Sequence, residues 1–208
     1  MIFHISVLFS PVYLVKWPNG RKGCLEGTLF GMVFAIYLYR NKIYKKEIIM
    51  NKFKIEDLLD EDLIFMNVRA ADSESLLHTL SEELQTRGYV KPGYADAVIR
   101  RERIYPTGLP TNIMKVAVPH AIERDYVLDP HVLVAVLDEP VAFKEMGDGI
   151  RDVMVNIVFL LAVCGSNDQL TILQKIVGMF SDAAVMADIK RAADRTALHQ
   201  ILKKHLSD

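Results

Sequence analysis

The residue in this chain best placed to do chemistry is His120, which follows Lys115-Val116-Ala117-Val118-Pro119 and precedes Ala121. The apolar run reads as a short strand. Pro119 has no N–H to give a ladder and biases Val118 toward extended backbone, so the strand stops and presents His120 just past its carboxyl edge. In open α/β sheets that edge is where ligand crevices form. The small Ala121 leaves space beside the ring. An imidazole with an ordinary pKa of about 6.5 is largely neutral near pH 7, which frees a ring nitrogen to act as nucleophile or base. A histidine near a strand end is more often structural than chemical, so position alone does not make it functional. Upstream stand Arg100-Arg101-Glu102-Arg103 and the loop Tyr105-Pro106-Thr107-Gly108-Leu109-Pro110. Downstream, Cys164-Gly165-Ser166 raises a rival, a Cys–His hydrolase with His120 as base. A thiol nucleophile needs an activating neighbour and an oxyanion site. No elbow motif surrounds Cys164, and a small thiol closing an apolar strand is the plainer reading. His78, His131, His199 and His205 fall on an exposed helix position, a strand start and the terminal helix, where structural or solvated roles suffice.

The elements that must position these groups alternate between strand and helix. Ile55–Leu59 is a lead-in and Leu63–Val68 a first strand. Asp72-Ser73 caps a helix whose apolar face is Leu76, Leu77, Leu80 and Leu84, ended by Gly88. A second helix runs from Tyr94 to about Ile104 and stops before Pro106. After the histidine strand, Val132–Leu137 is a strand ended by Asp138-Glu139-Pro140. Val153–Val163 is almost continuously apolar, as a central strand covered on both faces would be. Asn167 then begins a helix facing the core with Leu170, Leu173, Ile176, Val177 and Phe180. Two short helices, near Ala183–Arg191 and Arg195–Leu206, close the chain. The expected fold class is therefore α/β, a mixed sheet sandwiched between helices.

The 208 residues suffice for one domain with a core, or a domain plus an appendage. A composition 51% hydrophobic and 25% charged excludes a disordered chain. The net charge of −1 supplies no basic field for nucleic acid or acidic membrane. The two cysteines, Cys24 and Cys164, form neither a metal-ligand spacing nor a disulfide framework, which suits a reducing cytoplasm. Residues 1–49 do not match the rest. They hold two apolar patches, Ile2–Trp17 and Leu25–Tyr39, broken by Pro18-Asn19-Gly20-Arg21-Lys22. The run Leu29–Tyr39 is shorter than the roughly 20 apolar residues of a membrane span. Lys46-Glu47 can be encoded by a purine-rich ribosome-binding sequence ahead of Met50. The expectation is that residues 50–208 form the functional domain and that residues 1–49 reflect a start codon assigned too early.

Arg101-Glu102 ahead of the Pro106-Thr107-Gly108 loop, followed by Val116-Ala117-Val118-Pro119-His120, resembles the signature of type-2 (fructose/mannitol) enzyme IIA proteins of the bacterial phosphoenolpyruvate-dependent sugar phosphotransferase system. The resemblance covers about Asn51 to the C-terminus. It implies the mannitol-type IIA fold and a cytoplasmic phosphotransferase with a phosphohistidine intermediate. His120 would accept phosphoryl from phospho-HPr and pass it to a cysteine of a cognate enzyme IIB, which works with a membrane IIC component. No metal or diffusible cofactor is implied, and no membrane insertion of residues 50–208.

Arg101 matches the family's active-site arginine, whose planar fork can donate two parallel bonds to phosphoryl oxygens. Arg100 and Arg103 flank it, so an assignment off by one stays open. Glu102 either orients Arg101 or is simply solvated. Thr107 and Gly108 either bring a hydroxyl and a close backbone to the phosphate or form an ordinary turn. Gln169 stands where the fructose and mannitol branches carry a second histidine. Galactitol-type IIA proteins resemble this chain there and in the Pro-Thr-Gly loop, which points to galactitol or a related polyol. Two alternatives share the architecture: a nitrogen-type regulatory IIA phosphoacceptor without a sugar, and the non-catalytic cytoplasmic domain of anion transporters. A scaffold of the latter kind has no need of both His120 and Arg101.

Overall fold

The structure is a computed structural model that describes residues 12–16, 22–26, 55–163 and 166–206. The chain divides into two units, Met1–Lys52 and Phe53–Asp208. In the first, strands β1 (Val12–Lys16) and β2 (Lys22–Glu26) pair antiparallel, with Leu14 opposite Cys24. In the sequence Pro18–Lys22 breaks the two apolar patches. Its Asn19-Gly20 is also the strongest short-range hairpin signal, and the two strands lie on either side of it.

The second unit is built on a five-stranded mixed sheet of order β3-β6-β7-β5-β4. These strands are β3 (Leu59–Val68), β4 (Gly108–Leu109), β5 (Val116–Ala117), β6 (His131–Lys144) and β7 (Asp152–Ala162). β7 lies at the centre, antiparallel to β6 and parallel to β5. Its continuous apolar run follows from that place, because side chains alternate between two buried faces. Val158, Leu160 and Ala162 enter one core, whereas Ile157, Phe159 and Leu161 enter the other.

Helices α1 (Ser73–Thr86) and α2 (Tyr94–Ile104) contribute to the first of these cores through Leu76, Leu80, Tyr94 and Val98. Helices α3 (Ser166–Phe180), α4 (Ala183–Arg191) and α5 (Arg195–Leu206) contribute to the second through Ile176, Ile189 and Leu202. The α/β sandwich expected from the alternating pattern is the observed architecture. Asp72 caps α1 through a 2.8 Å bond from the Ser75 N–H. Gly88, at φ +80°, follows the last turn in the left-handed region that glycine enters without steric cost. Among the described residues no helix is long and apolar enough to cross a membrane.

Three expectations need correction. β3 begins at Leu59, four residues before Leu63, and the irregular register between Leu59 and Ile64 hides this stretch from a period-2 pattern. β6 does not end at Asp138-Glu139-Pro140 but continues to Lys144. Its register against β7 shifts between Val136 and Val141, and that irregularity accommodates a proline that cannot donate to a ladder. The buried stripe of α3 is rotated by one residue: Ile172, Ile176, Met179 and Phe180 are buried, with Leu173 and Val177 only partly so.

Candidate functional site

His120 sits where β5 leaves the sheet. Val116 and Ala117 pair with Ile157 and Val158 of β7, and the chain then passes through buried Val118 and Pro119. Contact with β7 does not stop at the proline. The Leu161 N–H donates to the Pro119 carbonyl at 3.0 Å, and His120 itself bridges Leu161. The histidine backbone is thereby tied to the central strand beyond the point where the proline ends β5.

The ring is half-buried, and its Nδ1 lies 3.0 Å from the Val118 carbonyl oxygen. A carbonyl only accepts, so this bond requires the proton on Nδ1 and leaves the lone pair on Nε2. Burial pulls the imidazole pKa from 6.5 down to about 4, the charge of Arg101 adds to that shift, and the Val118 bond opposes it. The ring is therefore neutral at pH 7 by a wider margin than its ordinary value gives.

Three arginines leave one stretch of α2 in three directions. Arg100 reaches Glu123 at 3.3 Å on the surface. Arg103 makes two 2.6 Å bonds to Glu74 of α1, also on the surface. Arg101 turns inward. Its side chain is 13% exposed, it donates to the Tyr105 carbonyl, and it lies 3.8 Å from the Glu102 carboxylate. Burial draws its pKa below the ordinary arginine range, with Glu102 and then Tyr105 opposing. Of the three, it is the one whose charge acts on His120.

Glu102 is buried, which excludes the solvated reading, and its hydrogen bonds go to the loop. Its carboxylate accepts the Thr107 N–H at 2.7 Å and the Thr107 hydroxyl at 3.0 and 2.9 Å. Burial pushes its pKa up, while the two Thr107 bonds and Arg101 work against that. Thr107 is fully buried and its one hydroxyl proton is spent on Glu102, which makes it a support for the loop and not a free donor toward a ligand. Gly108 is needed for close approach: a Cβ there would stand 2.6 Å from the Lys144 carbonyl oxygen. The loop is further fixed by the Met146 N–H, which donates to the Gly108 carbonyl at 2.9 Å.

Gln169 falls in the first turn of α3, and its side chain lies outside the described residues, as do Cys164 and Gly165. Among the other histidines, His131 stacks on Tyr89 at 3.8 Å and His199 bonds the Leu59 carbonyl at 3.1 Å, both structural placements. Sequence reasoning did not find the two carbonyls that set the site, those of Val118 and Tyr105, because any residue supplies one. The signals available were Pro119 and Pro106, which bias their predecessors away from helix. Among the described residues no group of three or more His, Cys, Asp or Glu side chains is placed to hold a metal ion.

A neutral histidine with its lone pair fixed on Nε2, beside an arginine whose side chain is 13% exposed, is suited to taking up an anionic phosphoryl group. Residues 57–205 match the family described as "Phosphoenolpyruvate-dependent sugar phosphotransferase system, EIIA 2". The chain is 29% identical over 147 residues to a PTS system mannitol-specific EIICBA component of Escherichia coli, covering 70% of this chain and 21% of that protein. It thus spans about a fifth of that relative's length. It is 30% identical over 129 residues to a mannitol-specific phosphotransferase enzyme IIA component of Halalkalibacterium halodurans, covering 61% of this chain and 81% of that one. The crystal structure of IIA mannitol from Escherichia coli superposes with a TM-score of 0.57 at 25% identity, over 69% of this chain and 98% of that chain. A complex of enzyme IIAMTL with phosphorylated enzyme IIBMTL, also from Escherichia coli, contains a chain of the same fold, with a TM-score of 0.59 at 24% identity over 70% of this chain and 97% of that chain.

Proposed function

The chain belongs to the type-2 EIIA family of the phosphoenolpyruvate-dependent sugar phosphotransferase system, and we propose that His120 is its phosphoryl carrier. The observation that carries this reading is the Nδ1–H···O=C bond to Val118, which leaves Nε2 as the nucleophile. In the first transfer the Nε2 lone pair attacks the phosphorus of a phosphohistidine on HPr. The N–P bond to the donor ring breaks as the new N–P bond forms, and the donor imidazole leaves with the electron pair. In the second, a cysteine thiolate of enzyme IIB attacks the same phosphorus, an S–P bond forms, and Nε2 recovers its lone pair. Charge accumulates on the phosphoryl oxygens in both steps. Arg101 supplies the fork that offsets it, exchanging its bond to the Tyr105 carbonyl for bonds to those oxygens. Glu102 and Thr107 support that arrangement by holding the loop that carries Tyr105. Tyr105 and Ile122, 58% and 56% exposed, flank these residues in sequence and offer apolar surface to both partners.

We place this activity in residues 50–208. The relatives described above are mannitol-specific, whereas Gln169 and the Pro106-Thr107-Gly108 loop resemble the galactitol branch, so the proposed sugar is a polyol, with galactitol or a relative of it the finer reading. Incubation with phosphoenolpyruvate, enzyme I and HPr should label the chain in an acid-labile, base-stable bond, and His120→Ala should abolish the label. Label surviving on that variant would move the site elsewhere. Onward transfer to a mannitol-type against a galactitol-type IIB protein identifies the branch. A phosphorylated chain that passes phosphoryl to neither would favour the nitrogen-type regulatory reading.

A further inference from the structure

We propose that Tyr94 is a positioning residue for the His120 site: its buried hydroxyl fixes helix α2, and Arg101 with it, against the backbone that carries His120. The inference rests on the phosphocarrier reading above and concerns a residue which that reading does not use. Tyr94 is the first residue of α2 and is 1% exposed. Its hydroxyl donates to the Leu161 carbonyl at 3.0 Å inside the core. Leu161 is also the residue whose N–H bonds the Pro119 carbonyl and which bridges His120. A path of two hydrogen bonds through one residue of β7 therefore joins the phenol to the peptide beside the proposed nucleophile.

Arg101 lies seven residues further along α2. Seven residues make almost two whole turns, so Tyr94 and Arg101 occupy one stripe of the helix. Their other fastenings differ in kind. Arg100 and Arg103 tie α2 to Glu123 and Glu74 through exposed ion pairs, which yield readily to water and salt. The Tyr94 bond is dry, and burial pushes the phenol's ionisation far above its usual range, so the hydroxyl remains a donor at every working pH. Phenylalanine would fill the same space. What the hydroxyl adds is a fixed registration between the helix that holds the cation and the strand that holds the histidine. Transfer chemistry made of positioning and charge is sensitive to misplacements of about 1 Å.

The test compares Tyr94→Phe with Leu198→Val, a core change on α5 in the opposite cluster. Each is read by thermal unfolding, by the kcat and KM of phosphoryl uptake from phospho-HPr, and by NMR titration of the His120 ring. Tyr94→Phe should lower kcat roughly three- to tenfold with KM unchanged, the scale of one hydrogen bond. It should also move the His120 midpoint upward, because Arg101 no longer sits as close. Leu198→Val should lower the melting temperature and leave both readouts alone. In an Arg101→Lys background most of the Tyr94→Phe effect should vanish. Unchanged kcat and titration in Tyr94→Phe, or equal changes in Leu198→Val, would overturn the proposal. A wild-type chain that takes no label would sink the phosphocarrier reading instead, and the ring titration would still decide whether Tyr94 sets the geometry.

Discussion

Arg101 and Arg103 stand two residues apart on α2, and their guanidinium groups live in different surroundings. The Arg103 side chain is 62% exposed and grips Glu74 through two 2.6 Å bonds. Arg101 is 13% exposed, shares a neutral carbonyl and a more distant carboxylate, and acts on the histidine. By bond count the surface pair is the better salt bridge. The inner arginine is the less satisfied one, and that is what suits it to an incoming phosphate. A cation already matched to a carboxylate must break that match to bind, whereas one held by a single carbonyl gives up little. What separates the two is burial and how closely each is matched to a carboxylate, not charge.

The contrast breaks most sharply under substitutions that keep charge. Arg101→Lys should slow phosphoryl transfer about tenfold or more, because a lost charge-assisted bond is worth roughly 1.5–3 kcal/mol and a lysine has no planar fork. Arg103→Lys should leave the rate unchanged. Stopped-flow or quenched transfer from phospho-HPr measures both. Equal slowing in the two variants would mean that the whole end of α2 binds the partner and that burial does not distinguish them.

The next test uses Thr107, whose hydroxyl and N–H both serve Glu102. Thr107→Val keeps the shape and removes the hydroxyl, leaving a buried carboxylate short of one donor. A loss of roughly 1–3 kcal/mol in unfolding free energy is expected, since an unsatisfied buried polar group costs that much. Transfer should slow by less than in Arg101→Lys, because the loop moves but the cation stays. Denaturant unfolding and the same kinetics check the two parts. A variant as stable as wild type would show that Glu102 finds water instead.

These differences mark what the sequence could disclose. Apolar periodicity located α1, because that helix buries one stripe and is bounded by the Asp72 cap and Gly88. The Val-Pro-His element placed His120 at a strand edge, because proline's covalent chemistry acts locally. Pro140 misled for the same reason: it removes a ladder bond anywhere, yet a register shift in β6 absorbs it, and register is a property of two strands. The family resemblance points to Arg101, but the residues themselves leave Arg100 and Arg103 open as neighbours one or two positions away. Choosing between them takes the distance from α2 to β7, which no local pattern encodes. The residues alone leave Glu102 between orienting Arg101 and being solvated, since nothing in a Glu-x-x-x-x-Thr spacing says that the loop folds back to bury the carboxylate.

A smaller effect follows from the histidine's own titration. Its folded pKa of about 4 lies below the ordinary 6.5, through burial first and Arg101 second. The folded state therefore binds fewer protons than the unfolded chain between those values. Stability drawn from the neutral ring is complete above pH 6.5 and is lost as pH falls toward 4. Phosphoryl acceptance should be flat from pH 8 to 6 and fall only as the ring charges near 4. The difference between the stability–pH curves of wild type and His120→Gln isolates this group. A difference curve with no slope between pH 6.5 and 4 would mean that the ring is as solvated as in the unfolded chain.

The least effect belongs to the pair that looks strongest. Arg103→Ala removes both bonds to Glu74 and the contact they make between α2 and α1. Both groups are exposed, so water replaces the lost partner on each side and salt already screens their attraction. Glu74 also keeps a second source of stabilisation: it lies in the first turn of α1, where a negative charge is favoured by the unpaired N–H groups of the helix end. The melting temperature should therefore move little, and less at high salt than at low salt. Phosphoryl transfer and the His120 titration should both match wild type. A marked fall in rate without unfolding would show that the surface clasp, and not burial, keeps Arg101 turned toward the histidine, and the contrast between the two arginines would then be one of a lever and its load.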